Sequence, residues 1–329
     1  MGAMQAQDYY NALWALGLRT SKTEQEIVRI LESRNVIRTW PQRGTLHFVT
    51  AQNAHWQVGL SAMRLLKGAA TRQRNLGLSE DIFVQSRKIL SSALAQSNYL
   101  TRPQVLSTLE EAGIATSGGR GYHILWYLSQ TGVTYVGPMK NKQQTFGLLD
   151  ELVPRPEPRS REENITELAK QYFVSHGPAT LQDFMWWSGL TTTDAKSGLT
   201  SNEATLTSVA VGDKTYWMAK ESTPSGNSID QVLLLPGFDE YLLGYKDRSA
   251  VLPTEHASKV VPGGNGMFLP IIIVHGQVVG TWKRTIRKDH VLLALSPFQR
   301  LDSSTMTALQ KPAQDYGAFL GLPPKIEVA

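Results

Sequence analysis

The sequence predicts an α+β chain in which helices followed by a β-hairpin recur three times, the winged-helix order, ahead of a β-rich C-terminal region. Three observations carry this expectation. Amphipathic segments with helix-start signals precede paired β-branched and aromatic runs at three places. A proline and charge cluster, VPRPEPRSREEN, interrupts the chain between the second and third of these, as an extended linker would. From Val232 on, the texture changes to strand-like runs separated by Gly-rich and polar turns.

Residues 8–17 and 23–34 read as helices, the second opened by Thr23 and Glu26 as a capping box. VIRTW and TLHFVT around the turn PQRG then form the first hairpin. A helical stretch from Ala51 to Ala95, broken near Gly68 and Gly77, leads to a helix capped by Thr101 with Pro103 in its first turn. GYHILWYLSQTG supplies the next helix, and VTYVGP with TFGLLDEL around KNKQ the second wing. Beyond the linker, expected near Pro154 to Glu163, NITELAKQYFVSHG, PATLQDFMWWSGL and residues 191–199 are three helices, followed by a hairpin around Gly212-Asp213. The C-terminal strands VLLLP, MFLPIIIVHGQVVGTWKRT and HVLLALS suggest a small sheet or barrel closed by a helix from Ser303 to Gly321, with His275-Gly276 as a tight turn. The expected domains are 1–75 and 76–153, each a winged helix, 154–225 as linker and third winged helix, and 226–329 as a β-barrel-like domain.

Composition narrows the function. At 329 residues the chain is long enough for about two or three domains, and 41% hydrophobic residues suffice to pack them. The absence of cysteine removes disulfides, thiolate metal sites and cysteine nucleophiles together. The start lacks a signal peptide's pattern and no apolar run is long enough to span a bilayer, so a cytoplasmic, nucleoid-associated monomer is expected. A net charge of +5 is compatible with a polyanionic partner and, alone, shifts the balance only modestly.

Motif tests are mostly negative. The seven histidines have no zinc-motif spacing, so no metal and no cofactor are expected. SGGRGYH lacks the Lys-Ser/Thr ending of a phosphate loop and reads as a turn opening a helix, with Arg120 near a DNA phosphate. Trp186 and Trp187 lie in one amphipathic helix and are assigned to packing. Asp239 and Glu240 are adjacent carboxylates whose favoured reading is a structural ion pair with Lys246 or Arg248. Gln5 and Gln7 would face one side of an extended segment, yet polar residues near a terminus are usually solvated.

The segments GAMQAQDYYNALWALGLR, TWPQRGTLHFVTAQ, HGPATLQDFMWWSGL, LPGFDEYLLGYKDRS and HGQVVGTWKR, in this order, resemble the winged-helix DNA-binding family that contains the AlkZ-like DNA glycosylases. That resemblance implies three tandem winged helices around double-stranded, damaged DNA, and a monofunctional glycosylase acting on bulky alkylated purines and crosslinks. The family's Gln-x-Gln motif falls on Gln5, Ala6 and Gln7, which makes Gln5 and Gln7 the expected catalytic pair. Relatives carry a further helix ahead of this motif, whereas here the chain begins four residues before Gln5, so the first winged helix is expected to be N-terminally incomplete. Arg38 and Arg43 beside the first wing, Lys140 and Lys142 on the second, and Arg120 are the expected phosphate contacts. The alternative readings are a non-catalytic winged-helix DNA-binding protein, such as a transcriptional regulator, and a protein-interaction scaffold.

Overall fold

The computed structural model describes residues 1–155, 157, 159–221 and 232–328. The chain opens with β1 (Met4–Gln5) and helices α1 (Tyr9–Thr20) and α2 (Glu24–Glu32). Asp8 caps α1 by accepting the Asn11 N–H, and Thr23 with Glu26 forms the expected reciprocal cap ahead of α2. The first hairpin, β2 (Val36–Gln42) and β3 (Thr45–Thr50), turns at Arg43-Gly44, both with positive φ, as the right-handed strand twist favours in a two-residue loop. Next come α3 (Ala51–Asn75) and α4 (Glu80–Ser97). The helix runs straight through Gly68, where a break was expected, and stops before Gly77, whose φ of 62° is left-handed.

After β4 (Leu100–Thr101), α5 (Arg102–Glu111) starts at the predicted cap, with Thr101 and Gln104 satisfying each other's backbone groups. Then follow α6 (Arg120–Gln130), β5 (Thr134–Lys140), β6 (Gln143–Leu148) and a single helical turn, α7 (Leu149–Leu152), in place of the expected continuation of the strand. Past the proline cluster, of which Pro156 and Pro158 lie outside the described residues, come α8 (Arg161–His176), α9 (Leu181–Ser188) and α10 (Thr192–Thr200). These precede the hairpin β7 (Leu206–Val211) and β8 (Lys214–Ala219). The expected boundary at 225 also falls outside the described residues.

The C-terminal part holds β9 (Val232–Leu235), α11 (Glu240–Leu243), α12 (Ala257–Val260), β10 (Ile271–Val274), β11 (Gln277–Ile286), β12 (Val291–Pro297), α13 (Ser303–Ala308), α14 (Gln310–Leu320) and β13 (Pro324–Val328). Its five strands form an open sheet in the order β13-β12-β11-β10-β9, antiparallel except where β13 runs parallel to β12. Among the described residues there is no closed barrel, which corrects the barrel-like expectation. The terminal β13, PKIEV, was not among the expected strands, although Ile326 and Val328 alternate with Lys325 and Glu327.

Two further differences concern grouping. The hairpins β2–β3 and β5–β6, expected as separate wings, join one six-stranded sheet in the order β1-β3-β2-β5-β6-β4, because β2 pairs β5 at Arg38 and Val136. The chain divides into two compact units: Met1–Met4 with Ile30–Trp217, and Gln5–Arg29 with Met218–Ala329. Helix α1, expected to open the first domain, therefore folds with the C-terminal strands. The physical reason is its aromatic face. Trp14 donates its Nε1–H to the Leu234 carbonyl at 2.8 Å and packs edge-on against Tyr316 at 4.9 Å. A side chain at Gly17 would sit 2.7 Å from the Phe319 ring, so glycine permits the approach of α1 to α14.

The first unit has a core of Trp40, Phe83, Leu90, Leu94, Leu109, Ile124 and Phe146, drawn from α4–α6 and their sheet. In the second unit, Leu235, Leu242, Leu243, Ile271, Ile273 and Val278 form the corresponding core.

Candidate active site and nucleic-acid contacts

Gln5 and Ala6 are buried, at 8% and 0% exposure, whereas Gln7 is exposed. The strand ends at Gln5, so the two glutamines do not share the alternating environment expected of one extended segment. Nor is the segment solvated like an ordinary terminus. Asp8 fixes its C-terminal side through the α1 cap, and the main-chain N–H of Gln5 donates to Oε1 of Glu240 at 2.8 Å.

The turn before α11 explains how Glu240 comes to be there. At Gly237 an added Cβ would lie 2.6 Å from the Phe268 carbonyl oxygen, so only glycine fits. Phe238 follows with φ 63°, and Asp239 then caps α11 by accepting the Tyr241 N–H at 2.8 Å. Asp239 is also gripped by both terminal nitrogens of Arg19, each at 2.8 Å. Burial works against the charge of Arg19, and the hydrogen bonds to Asp239 outweigh it, holding the guanidinium above its ordinary pKa. Thus Glu240, 2% exposed, presents its carboxylate to the glutamine motif from a turn locked on three sides.

This corrects the sequence reading for Asp239. Asp239 takes Arg19 as its cation rather than Lys246 or Arg248, while Arg248 donates to the Leu242 carbonyl and lies over the Phe268 ring. Arg19 and Glu240 were both missed as site residues, because their partners are 220 and 235 positions away in the chain.

The expected phosphate contacts divide into two groups. Lys140 and Lys142 are exposed at the tip of β5–β6, where Asn141 and Lys142 both have positive φ. Arg43 occupies the turn of the first hairpin with its guanidinium 5.9 Å from the Trp186 ring centre. Arg38, in contrast, is only 4% exposed within the six-stranded sheet, so it is not the surface cation that its place beside the hairpin suggested. Arg120 is spent on the fold: it donates to the carbonyls of Ala115 and Gly77 at 2.8 and 3.1 Å, and to that of Leu76. It closes the end of α3, where carbonyls lack helical partners.

The two tryptophans assigned to packing also differ. Trp187 is fully buried beside Tyr172, and Trp186 is 41% exposed. No helix among the described residues is long and apolar enough to cross a membrane.

A family model described as DNA glycosylase AlkZ-like matches residues 1–319. An interstrand DNA cross-link repair glycosylase from Streptomyces sahachiroi is 26% identical over 340 residues, covering 94% of this chain and 86% of that protein. The solved structure of Streptomyces sahachiroi DNA glycosylase AlkZ superposes with a TM-score of 0.78 at 24% identity, over 99% of this chain and 91% of the other, and so shares its fold. With the family model matching nearly the whole length, the chain belongs to the AlkZ-like DNA glycosylase family.

Proposed function

We propose that this protein is a DNA-repair glycosylase that hydrolyses the N-glycosidic bond of bulky purines alkylated at N7 or N3, crosslinked bases included, and that its helix–hairpin groups act as tandem winged helices on duplex DNA. The observation that carries the reading is the anchoring of the Gln5-Ala6-Gln7 segment: the backbone of Gln5 is tied to a buried carboxylate while Gln7 stays open to solvent.

A purine alkylated at N7 or N3 already bears positive charge, so it departs with little acid assistance. What remains is to hold a water beneath the sugar C1′ and to favour an oxocarbenium-like centre. Carboxamide oxygens do the first by accepting hydrogen bonds from the water, and fixed dipoles and charges do the second best when they need not reorganise. In this reading Gln5 and Gln7 position the water. Glu240 holds the backbone of Gln5 in place. Arg43, Lys140 and Lys142 contact phosphates. Bulky adducts fit poorly in an enclosed base-flipping pocket, which favours reading the lesion in place.

The test is release of a 7-alkylguanine from duplex DNA by the wild-type protein and by the Gln5→Ala/Gln7→Ala variant. Release is expected from the first and loss from the second. Equal release from both overturns the catalytic assignment, and salt-sensitive DNA binding without base loss in the wild type identifies a non-catalytic binder instead.

A further inference from the structure

A cleft of about 730 Å³ opens in the first unit between the middle of α3 and the α9–α10 junction, and neither glutamine belongs to it. Its lining brings four cations, Arg43, Arg64, Lys67 and Arg161, together with one carboxylate, Asp194. Asp194 is already matched, accepting from Arg161 at 2.9 Å. The lining thus carries more cations than carboxylates. Arg64 and Lys67 are exposed, and among the described residues neither has a carboxylate within ion-pair distance. They lie one helical turn apart on α3, a helix with four Lys or Arg and no Asp or Glu anywhere in its 25 residues.

The cations converge. A Cβ built on Gly189 would be 3.4 Å from Cγ of Arg43 and 4.0 Å from Nη1 of Arg64, so the two side chains meet over the turn that ends α9. At this wall of the cleft Arg43 also lies over the half-open Trp186 ring. Met63, 83% exposed, also lines the cleft. Convergent guanidinium and ammonium groups beside exposed flat and flexible apolar surface suit an extended anion with apolar segments between its charges.

The geometry points to this cleft as an anchoring site for the phosphodiester backbone of duplex DNA, with Arg43, Arg64 and Lys67 on consecutive phosphates and Met63 against the deoxyribose between them. The inference rests on the DNA-glycosylase reading for the identity of the polyanion. Sequence patterning pointed only to Arg43, because the helix that carries Arg64 and Lys67 looks like ordinary amphipathic scaffold until it is seen facing the α9–α10 junction.

The experiment measures affinity of the full-length protein for an undamaged fluorescent duplex by anisotropy between about 50 and about 200 mM salt. Single-turnover and saturating base release are measured beside it. Each phosphate contact contributes about 0.9 to the slope of log K against log salt, so Arg64→Ala/Lys67→Ala is expected to lower that slope by about 1.8. The same variant should raise KM for base release and leave kcat unchanged, while Arg64→Lys/Lys67→Arg keeps the wild-type slope. An unchanged slope in the alanine variant, with wild-type protein that binds and releases base, overturns the anchoring site alone. Wild-type protein without salt-dependent affinity overturns the site and the proposed function together.

Discussion

The main-chain N–H of Gln5 and the carboxylate of Glu240 meet at 2.8 Å with both residues buried. Removing the acceptor strands a buried donor, which costs about 1–3 kcal/mol, and loosens the segment that carries the motif. Glu240→Ala is therefore expected to slow base release by at least about tenfold, each ~1.4 kcal/mol in the barrier being one factor of ten. Glu240→Gln retains an oxygen acceptor of the same reach and should keep most of the rate. Single-turnover release beside a thermal melt separates this from unfolding. Wild-type release by a folded Glu240→Ala protein would remove Glu240 from the site.

The pair beneath it supplies rigidity rather than chemistry. Asp239 is 1% exposed and Arg19 34% exposed at their side chains, so the pair is buried on the acid side only. Deleting the acid leaves a guanidinium without its fork partner, and Asp239→Ala should lower unfolding stability by on the order of 3 kcal/mol, toward the low end for buried pairs because Arg19 can still reach water. Arg19→Lys keeps the charge and loses the two-pronged geometry, so a smaller loss is expected. Urea denaturation ranks the two. Equal losses would mean that the fork, and not charge alone, holds the turn.

Most of the elements were legible because their signals are local. Thr23 with Glu26, and Thr101 with Pro103, marked helix starts that the structure shows as reciprocal caps, the second completed by Gln104, and turn chemistry found the hairpins at Arg43-Gly44 and His275-Gly276. Non-local relations were not legible. The assignment of α1 to the C-terminal strands depends on what lies opposite Trp14 and Gly17, and no periodicity within residues 8–17 encodes that. The same limit hid Arg19 and Glu240, whose roles exist only after chain ends more than 200 residues apart have met. Arg38 illustrates the reverse case: its charge suggested surface, and pairing of β2 with β5 buries it.

The tip of the β5–β6 hairpin separates stability from binding. Lys142 has φ 63°, a left-handed conformation that costs a residue with a Cβ about 1 kcal/mol. Lys142→Gly relieves this and adds chain entropy to the unfolded state, for a net stabilisation on the order of 0.5 kcal/mol. If Lys142 contacts a phosphate, the same substitution lowers the salt slope of DNA binding by about 1. A slope equal to that of the wild type would take Lys142 out of the interface whatever the melt shows.

One acid should make stability fall with rising pH. Burial raises the pKa of Glu24 above its ordinary 4.5, and Arg284 only partly offsets it. Between the unfolded and the raised folded value the folded state holds the proton more tightly, so stability is greatest below that window and declines as pH climbs through it. Glu24→Gln removes this contribution, and is expected to raise the melting temperature at neutral pH while flattening the profile immediately above pH 4.5. An identical drop across the window in both proteins would show that Glu24 does not contribute the penalty.

Trp186 and Trp187 are adjacent in sequence and opposite in consequence. Trp187 has no exposed surface and packs 5.1 Å from the Tyr172 ring, so Trp187→Ala should cost about 3–5 kcal/mol through the cavity it leaves. Trp186 is 41% exposed, and its distinguishing contact is the guanidinium of Arg43 at 5.9 Å, near the outer limit of a cation–π interaction. Trp186→Ala is thus expected to leave stability within about 1 kcal/mol of wild type and to weaken duplex binding about twofold, since an exposed cation–π contact contributes about 0.5 kcal/mol. Trp186→Phe, which keeps an aromatic face under Arg43, should recover part of that affinity. Urea titration and anisotropy on the same three proteins decide it: a large stability loss for Trp186→Ala, or full affinity without the ring, would mean that Trp186 does not orient Arg43 in the cleft.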